Sequence, residues 1–168
     1  MSSTEHHAQA AGFHAACAVL TISDTRTEAD DASGRIIRES LQAAGHSVEA
    51  MRIVKDEPAQ IEAQLRTWVD EERINAICCT GGTGISRRDS TIEVAQRVID
   101  KPLDGFGELF RMLSWEQVGS AAMMSRAMAG MADQTVVFVM PGSSKAVKLA
   151  MDKLIVPELS HLVWEQKK

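Results

Sequence analysis

No stretch of this chain is apolar for anything near the ~20 residues that a bilayer-crossing helix needs, so a membrane span is excluded. Nor is there an excess of basic residues. Eighteen Lys and Arg face 23 Asp and Glu, a formal net charge of −5 with a pI near 5.5. That balance argues against broad binding to nucleic acid or anionic membranes and leaves room for a local basic site only. Cysteine is scarce. Cys17, Cys78 and Cys79 are odd in number and lack the spacing of a disulfide framework or a zinc finger, which suits a reducing cytoplasm. Cys78 and Cys79 are neighbours in an apparent strand, where side chains alternate between faces, so they read as packing thiols rather than a bridge. No basic segment leads into an apolar one at the N-terminus. No secretory signal is visible, and the expected location is cytoplasmic.

No internal repeat or linker divides the sequence either. Its 168 residues, 45% apolar and 24% charged, read as one globular domain over residues 15–168 behind a flexible arm over residues 1–14. His6 and His7 belong to that arm. Apolar runs at Ala15–Ile22, Ile74–Thr80 and Gln134–Met140 read as buried strands, and Ser47–Val54 reads as a further strand. Between them, apolar residues recur at helical spacing. Ile36, Ile37, Leu41 and Ala44 are followed by Gly45 as a stop, and Ile61, Leu65, Trp68 and Val69 lie behind Pro58. The acid before Pro58 is expected to cap that helix. Ile92, Ala95, Val98 and Ile99 mark a third helix, and a segment carrying Phe106, Leu109, Phe110 and Leu113 a fourth. A further helix is expected over Val118–Met131, and a last one from Val147, kinked at Pro157. His46 is expected at the surface after Gly45, and His161 on a helix. The alternation predicts an α/β fold: three layers, α/β/α, around a mainly parallel central sheet.

In such open sheets ligands bind beyond the carboxyl ends of the strands. Four polar segments fall there: Ser23–Arg26, Lys55–Glu57, Gly81–Asp89 and Pro141–Lys145. Gly81-Gly82-Thr83-Gly84 is a break rich in glycine at the end of an apolar strand. Its amides, with the helix start that follows, suit an anion, and Arg87 and Arg88 add charge. A tight turn with solvated arginines is the plainer alternative. The loop is neither a P-loop nor a dinucleotide fingerprint, since both spacings are absent. Asp56 and Asp89 each sit between a strand and a helix. From position alone an N-cap or first-turn acid explains both; beside a phosphate site they would also suit Mg²⁺. Asp24 is a looser third candidate. Pro141-Gly142-Ser143 repeats the loop logic at another strand end, where a plain turn explains it equally well. Ser114 and Ser125 have no local mark of catalysis, and no Ser–His–Asp pattern is present.

Taken together, the segments resemble the MoaB/MogA-type molybdenum cofactor biosynthesis family, whose domain also occurs in gephyrin-like proteins. The match is carried by Leu20–Thr25, Ile53–Glu57, Thr80–Gly84 with Arg88-Asp89, Gly105–Arg111, Ala121–Ala127 and Met140–Ser143. It spans Ala15 to Val163, and the Gly-Phe-Gly-Glu-Leu-Phe-Arg segment looks more like the MoaB branch. The resemblance implies a molybdopterin-binding α/β domain. Catalytic members transfer AMP from Mg-ATP to the terminal phosphate of molybdopterin; a non-catalytic carrier of the same pathway is the alternative. It implies mechanistic roles for Asp56 and Asp89, with Mg²⁺ between them as cofactor. Ligand contacts are implied at Ser23, Asp24, Gly81, Gly82, Thr83, Gly84, Ser114, Ser125, Arg126, Pro141, Gly142 and Ser143. It further implies a homotrimer or homohexamer, with no nucleic-acid or membrane partner. Two positions depart from the family pattern: Ser144 and Arg87 stand where prolines are usual, and neither removes a proposed catalytic residue.

Overall fold

The computed structural model describes Ala10 and residues 12–167. Most of the expected arm, with His6 and His7, lies outside the described residues. Of its remainder, Phe13 packs against the core and accepts a hydrogen bond from Ser160 Oγ at 2.8 Å.

Six strands form one mixed sheet in the order β2-β1-β3-β6-β5-β4. Here β1 is Ala16–Ile22, β2 Ser47–Val54, β3 Ala76–Thr80, β4 Lys101–Pro102, β5 Met128–Ala132 and β6 Thr135–Met140. Strands β2, β1, β3 and β6 are parallel; β5 and β4 add antiparallel pairs at one edge. Helices α1 (Ala32–Ala43), α2 (Pro58–Val69) and α3 (Thr91–Val98) are crossovers of the parallel part. Helix α4 is Asp104–Val118. A 3₁₀ turn over Gly119–Met124 follows it, and α5 (Ser144–Ala150) and α6 (Val156–Gln166) close the chain.

Strand alternation divides the core in two. Cys17, Val19, Cys78, Val136, Phe138 and Met140 face Ile37 and Leu41 of α1, Phe110 of α4, and Val147, Ile155 and Leu159 near the C-terminus. Ala18, Leu20, Ile77, Cys79, Val137 and Val139 face Ile61, Leu65 and Trp68 of α2 and Val94, Ala95 and Val98 of α3. Helices therefore cover both faces, as the continuous apolar strands require. Phe106 fixes α4 to the sheet, with its ring centroid 5.4 Å from that of Phe138. The three cysteines are buried and free, with Cys78 and Cys79 on opposite faces.

Four local expectations are corrected or refined. Val118–Met131 is not one helix. Gly119 takes φ 61°, ψ −138° and stops α4, and the chain returns as β5. The small residues there serve close packing. A Cβ on Gly130 would overlap Ile99 and lie 2.7 Å from the Lys101 carbonyl oxygen. Asp133, at φ 49°, turns the chain into β6. His46 is buried, not exposed, because its Nδ1 accepts the Ala15 amide at 3.1 Å and so completes the start of β1. Glu57 makes no cap bond; its carboxylate pairs with Arg88 instead. The kink expected at Pro157 is absorbed one turn earlier. Met151–Ile155 is a π turn in which the Val156 amide reaches back to Met151.

Candidate functional site

The glycine loop leaves the carboxyl end of β3 in a conformation that side chains oppose. Gly81 has φ 99° and Gly82 φ 60°. A Cβ on Gly81 would overlap the Ile22 carbonyl oxygen. One on Gly82 would overlap Thr91 Oγ1 and lie 2.8 Å from Asp56 Oδ2. The Thr91 amide donates to the Gly82 carbonyl at 3.0 Å and ties the loop to the start of α3. The loop also touches the Pro-Gly-Ser turn: a Cβ on Gly142 would sit 3.2 Å from Gly81 Cα. Gly81–Gly84, Asp89, Ala121, Met124, Ser125, Pro141 and Gly142 enclose a cavity of about 340 Å³. This open crevice lies beyond the sheet, at the strands' carboxyl ends.

Asp89 lines this crevice and Asp56 lies against Gly82 on the loop's other side, and the two differ in electrostatic state. Burial raises the Asp56 carboxyl above the ordinary range. Hydrogen bonds from Ser90 oppose that shift, and the charges of Asp89 and Asp24 add to it. Asp89 is held below the ordinary range, chiefly by the Ser86 hydroxyl at 2.6 Å and the Ser86 amide at 3.0 Å. Neither acid is an N-cap: Asp56 lies outside α2, and Ser90 holds that position on α3. Among the described residues no group of three or more His, Cys, Asp and Glu side chains could hold a metal alone. The donor set fits a hard cation shared between two carboxylates and a ligand's phosphate oxygens, which is how Mg²⁺ is commonly held. Asp56 is the acid such a cation would stabilise most, being desolvated and among other negative charges.

A second cavity, of about 690 Å³, shares Ser125 and Pro141 with the first. Ser114, Gln117, Val118, Ser143, Lys145 and Leu149 also line it. Ser114 is otherwise buried, and Ser143 caps α5 by accepting the Ala146 amide at 3.2 Å. Of the other expected residues, Ser23, Asp24 and Arg126 stand apart from both cavities. Ser23 Oγ accepts the Thr25 and Arg26 amides and shapes its own loop. Asp24 pairs with Arg88. Arg126 is clasped by both oxygens of Glu93, at 2.7 and 2.8 Å. Thr83, within the loop, is largely buried and lines the first cavity.

Sequence reasoning passed over Ser90 and Thr91. Ser90 Oγ donates to Asp56 at 3.2 Å. Thr91 Oγ1 is buried beneath Gly82 and has no partner among the described residues. The signal was present, since both directly follow Asp89, but a polar pair at a helix start reads as capping.

Fold and crevice define a class: a three-layer α/β domain that presents a glycine loop and two carboxylates beyond its parallel strands. The family described as "Probable molybdopterin binding domain" matches residues 18–161. The chain is 49% identical to molybdenum cofactor biosynthesis protein B of Bacillus subtilis (strain 168) over 167 residues, 99% of this chain and 98% of that one. It is equally similar, at 49% over 166 residues, to the protein of that name from Bacillus cereus, covering 98% of each. A crystal structure of molybdenum cofactor biosynthesis protein B superposes with a TM-score of 0.90 at 48% identity, over 92% of this chain and 96% of that one. The tungsten cofactor synthesizing protein MoaB from Pyrococcus furiosus gives 0.83 at 35%, over 92% and 98%. A MogA structure gives 0.81 at 26%, over 90% and 99%. The chain belongs to the molybdopterin-binding-domain family of MoaB/MogA type and stands with its MoaB branch.

Proposed function

We propose that this protein acts in the cytoplasm on molybdopterin, transferring AMP from Mg-ATP to its terminal phosphate. The observation that supports this most is the pairing of Asp56 and Asp89 across the glycine cradle, with the unpartnered Thr91 hydroxyl beneath it. A terminal phosphate oxygen of molybdopterin attacks the α-phosphorus of ATP. The bond from that phosphorus to the β-bridging oxygen breaks, and pyrophosphate leaves. Such a transfer needs positioning and charge neutralisation more than covalent help from the protein. Amides of Gly82 and Thr83 hold phosphate oxygens in place, since that of Gly81 donates to Met140 and that of Gly84 to Asp89. Ser125, Ser114 and the Pro141–Ser143 turn orient the rest of the ligand across the adjoining cavities. Ser23 and Asp24 shape the neighbouring loop, and Arg126 lends positive charge near Asp89. Asp56 and Asp89 would hold Mg²⁺, which neutralises phosphate charge when bound.

We also propose that it works as a homotrimer or homohexamer. Leu109, Met112, Trp115, Val118, Met123 and Met124 are exposed in one segment, an uncommon concentration for a monomer. Val118 and Met124 also line the two cavities, so a subunit packed there would sit beside the ligand.

One observation favours the carrier reading. Arg88 and Arg126, the cations nearest the loop that the family pattern highlights, are already paired with carboxylates. Incubation with molybdopterin, Mg²⁺ and ATP separates the two readings. Adenylylated product supports transfer; molybdopterin binding without product supports the carrier.

A further inference from the structure

Arg88 was expected to offer its charge to an anion, but it faces away from that task. Its Nε donates to Asp24 Oδ2 at 2.6 Å and its Nη2 to Asp24 Oδ1 at 3.0 Å and Glu57 Oε1 at 3.1 Å. Asp24 Oδ1 in turn accepts the backbone amide of Asp56 at 3.2 Å. One guanidinium thus ties three strand-end loops: that of β1 through Asp24, that of β2 through Asp56 and Glu57, and the glycine loop that carries Arg88 itself. The next residue, Asp89, fastens the same loop to Ser86, while Ser90 reaches across to Asp56. Every connection between the Asp56 loop and the Asp89 loop in this chain of bonds runs through Arg88 or Ser90.

We propose that Arg88, with Asp24 as its counter-ion, is a positioning residue that sets the separation of Asp56 and Asp89 for the ligand. It acts through Asp24 and the Asp56 amide and does not touch substrate. The fork geometry of arginine matters here, because a lysine would make one bond where Arg88 makes two to the same carboxylate. The pairs are exposed, and exposed ion pairs contribute little to stability. The effect of losing them therefore falls on geometry rather than on folding. Placement errors of about 1 Å can cost on the order of 100-fold in rate.

The inference rests on the proposed AMP transfer, so the test carries a readout independent of it. Arg88→Ala, Asp24→Asn and the double variant are compared with wild type by hydrogen exchange, thermal unfolding and AMP-transfer kinetics. In each variant, exchange of the amides in 55–57 and 85–90 is expected to accelerate about tenfold or more. The Tm should fall by about 3 °C or less. The kcat should fall on the order of 10- to 100-fold with KM for ATP little changed, and the double variant should be no worse than the poorer single one. Unaltered exchange in both segments overturns the clamp. So does a rise in KM alone for Arg88→Ala, or losses that multiply in the double variant, since either marks Arg88 and Asp24 as separate ligand contacts. If the wild-type protein transfers no AMP, the proposed reaction fails, and the exchange result still decides the clamp.

Discussion

Replacing Gly82 by alanine strains the loop where it is tightest. At φ 60° an L-residue sits in the left-handed region, which costs about 1–2 kcal/mol. The new methyl would overlap Thr91 Oγ1 and approach Asp56 Oδ2 to 2.8 Å and Ile22 Cγ2 to 3.0 Å. Relief requires side chains in a packed region to move, at a typical cost of about 1–3 kcal/mol. The sum, about 2–5 kcal/mol, lowers the Tm of a chain this size by roughly 4–20 °C. Asp56 is among the groups that must yield, so ligand affinity should fall further than stability explains. Gly105→Ala is the control. It lies in α4 with nothing within 4 Å of an added Cβ, and the lost backbone freedom should leave it neutral or up to about 1 kcal/mol more stable. Calorimetric melting of both variants, with molybdopterin titrated into each, gives the comparison. A Gly82→Ala protein that melts with wild type and binds normally would refute the cradle.

Two further outcomes follow from the same structure. Burial, with the charge of His14 adding to it, lowers the His46 imidazole below its usual range, and its Nδ1 must stay free to accept the Ala15 amide. The unfolded chain therefore takes up this proton first. The stability contributed by neutral His46 is present above about pH 6.5 and is lost as pH falls through the lowered folded value. Urea unfolding from pH 8 to 5 should show this loss in wild type and a shallower one in His46→Asn; parallel curves would count against the buried acceptor. At the exposed strip, Trp115→Glu combined with Met123→Glu should shift sedimentation toward smaller species. An unchanged assembly would place the subunit contact elsewhere.

The centre of the parallel sheet was readable because β1, β3 and β6 are each mainly apolar runs next to a helix-spaced one. Those runs announce burial on both faces, which only covering helices provide. The β5 strand was not readable. Met128–Ala132 is built from Met, Ala and Gly, residues with no strand preference, and its identity comes from pairing with β6 and from close approach to β4. The burial of His46 was hidden for a similar reason, since its partner is the amide of Ala15, 31 residues away. In the crevice, the glycine loop and the two aspartates could be picked out by residue type at strand ends. The engagement of Arg88 by Asp24, 64 residues distant, could not, because a basic residue beside glycines looks the same whether it faces a ligand or a carboxylate. Thr91 was missed because its significance lies in a buried hydroxyl without a partner among the described residues, which residue type does not signal.

Whether Asp56 and Asp89 beside the glycine loop support transfer or only grip is decided by incubating wild type and Asp89→Ala with molybdopterin, Mg²⁺ and ATP labelled at the α-phosphate. The wild type should put label on molybdopterin and release one pyrophosphate per transfer. The folded variant should still bind molybdopterin while transferring label orders of magnitude more slowly, a drop of roughly 100-fold or more. Label transferred at near-wild-type rate by Asp89→Ala, or bound but unlabelled molybdopterin in the wild type, would contradict a role in transfer.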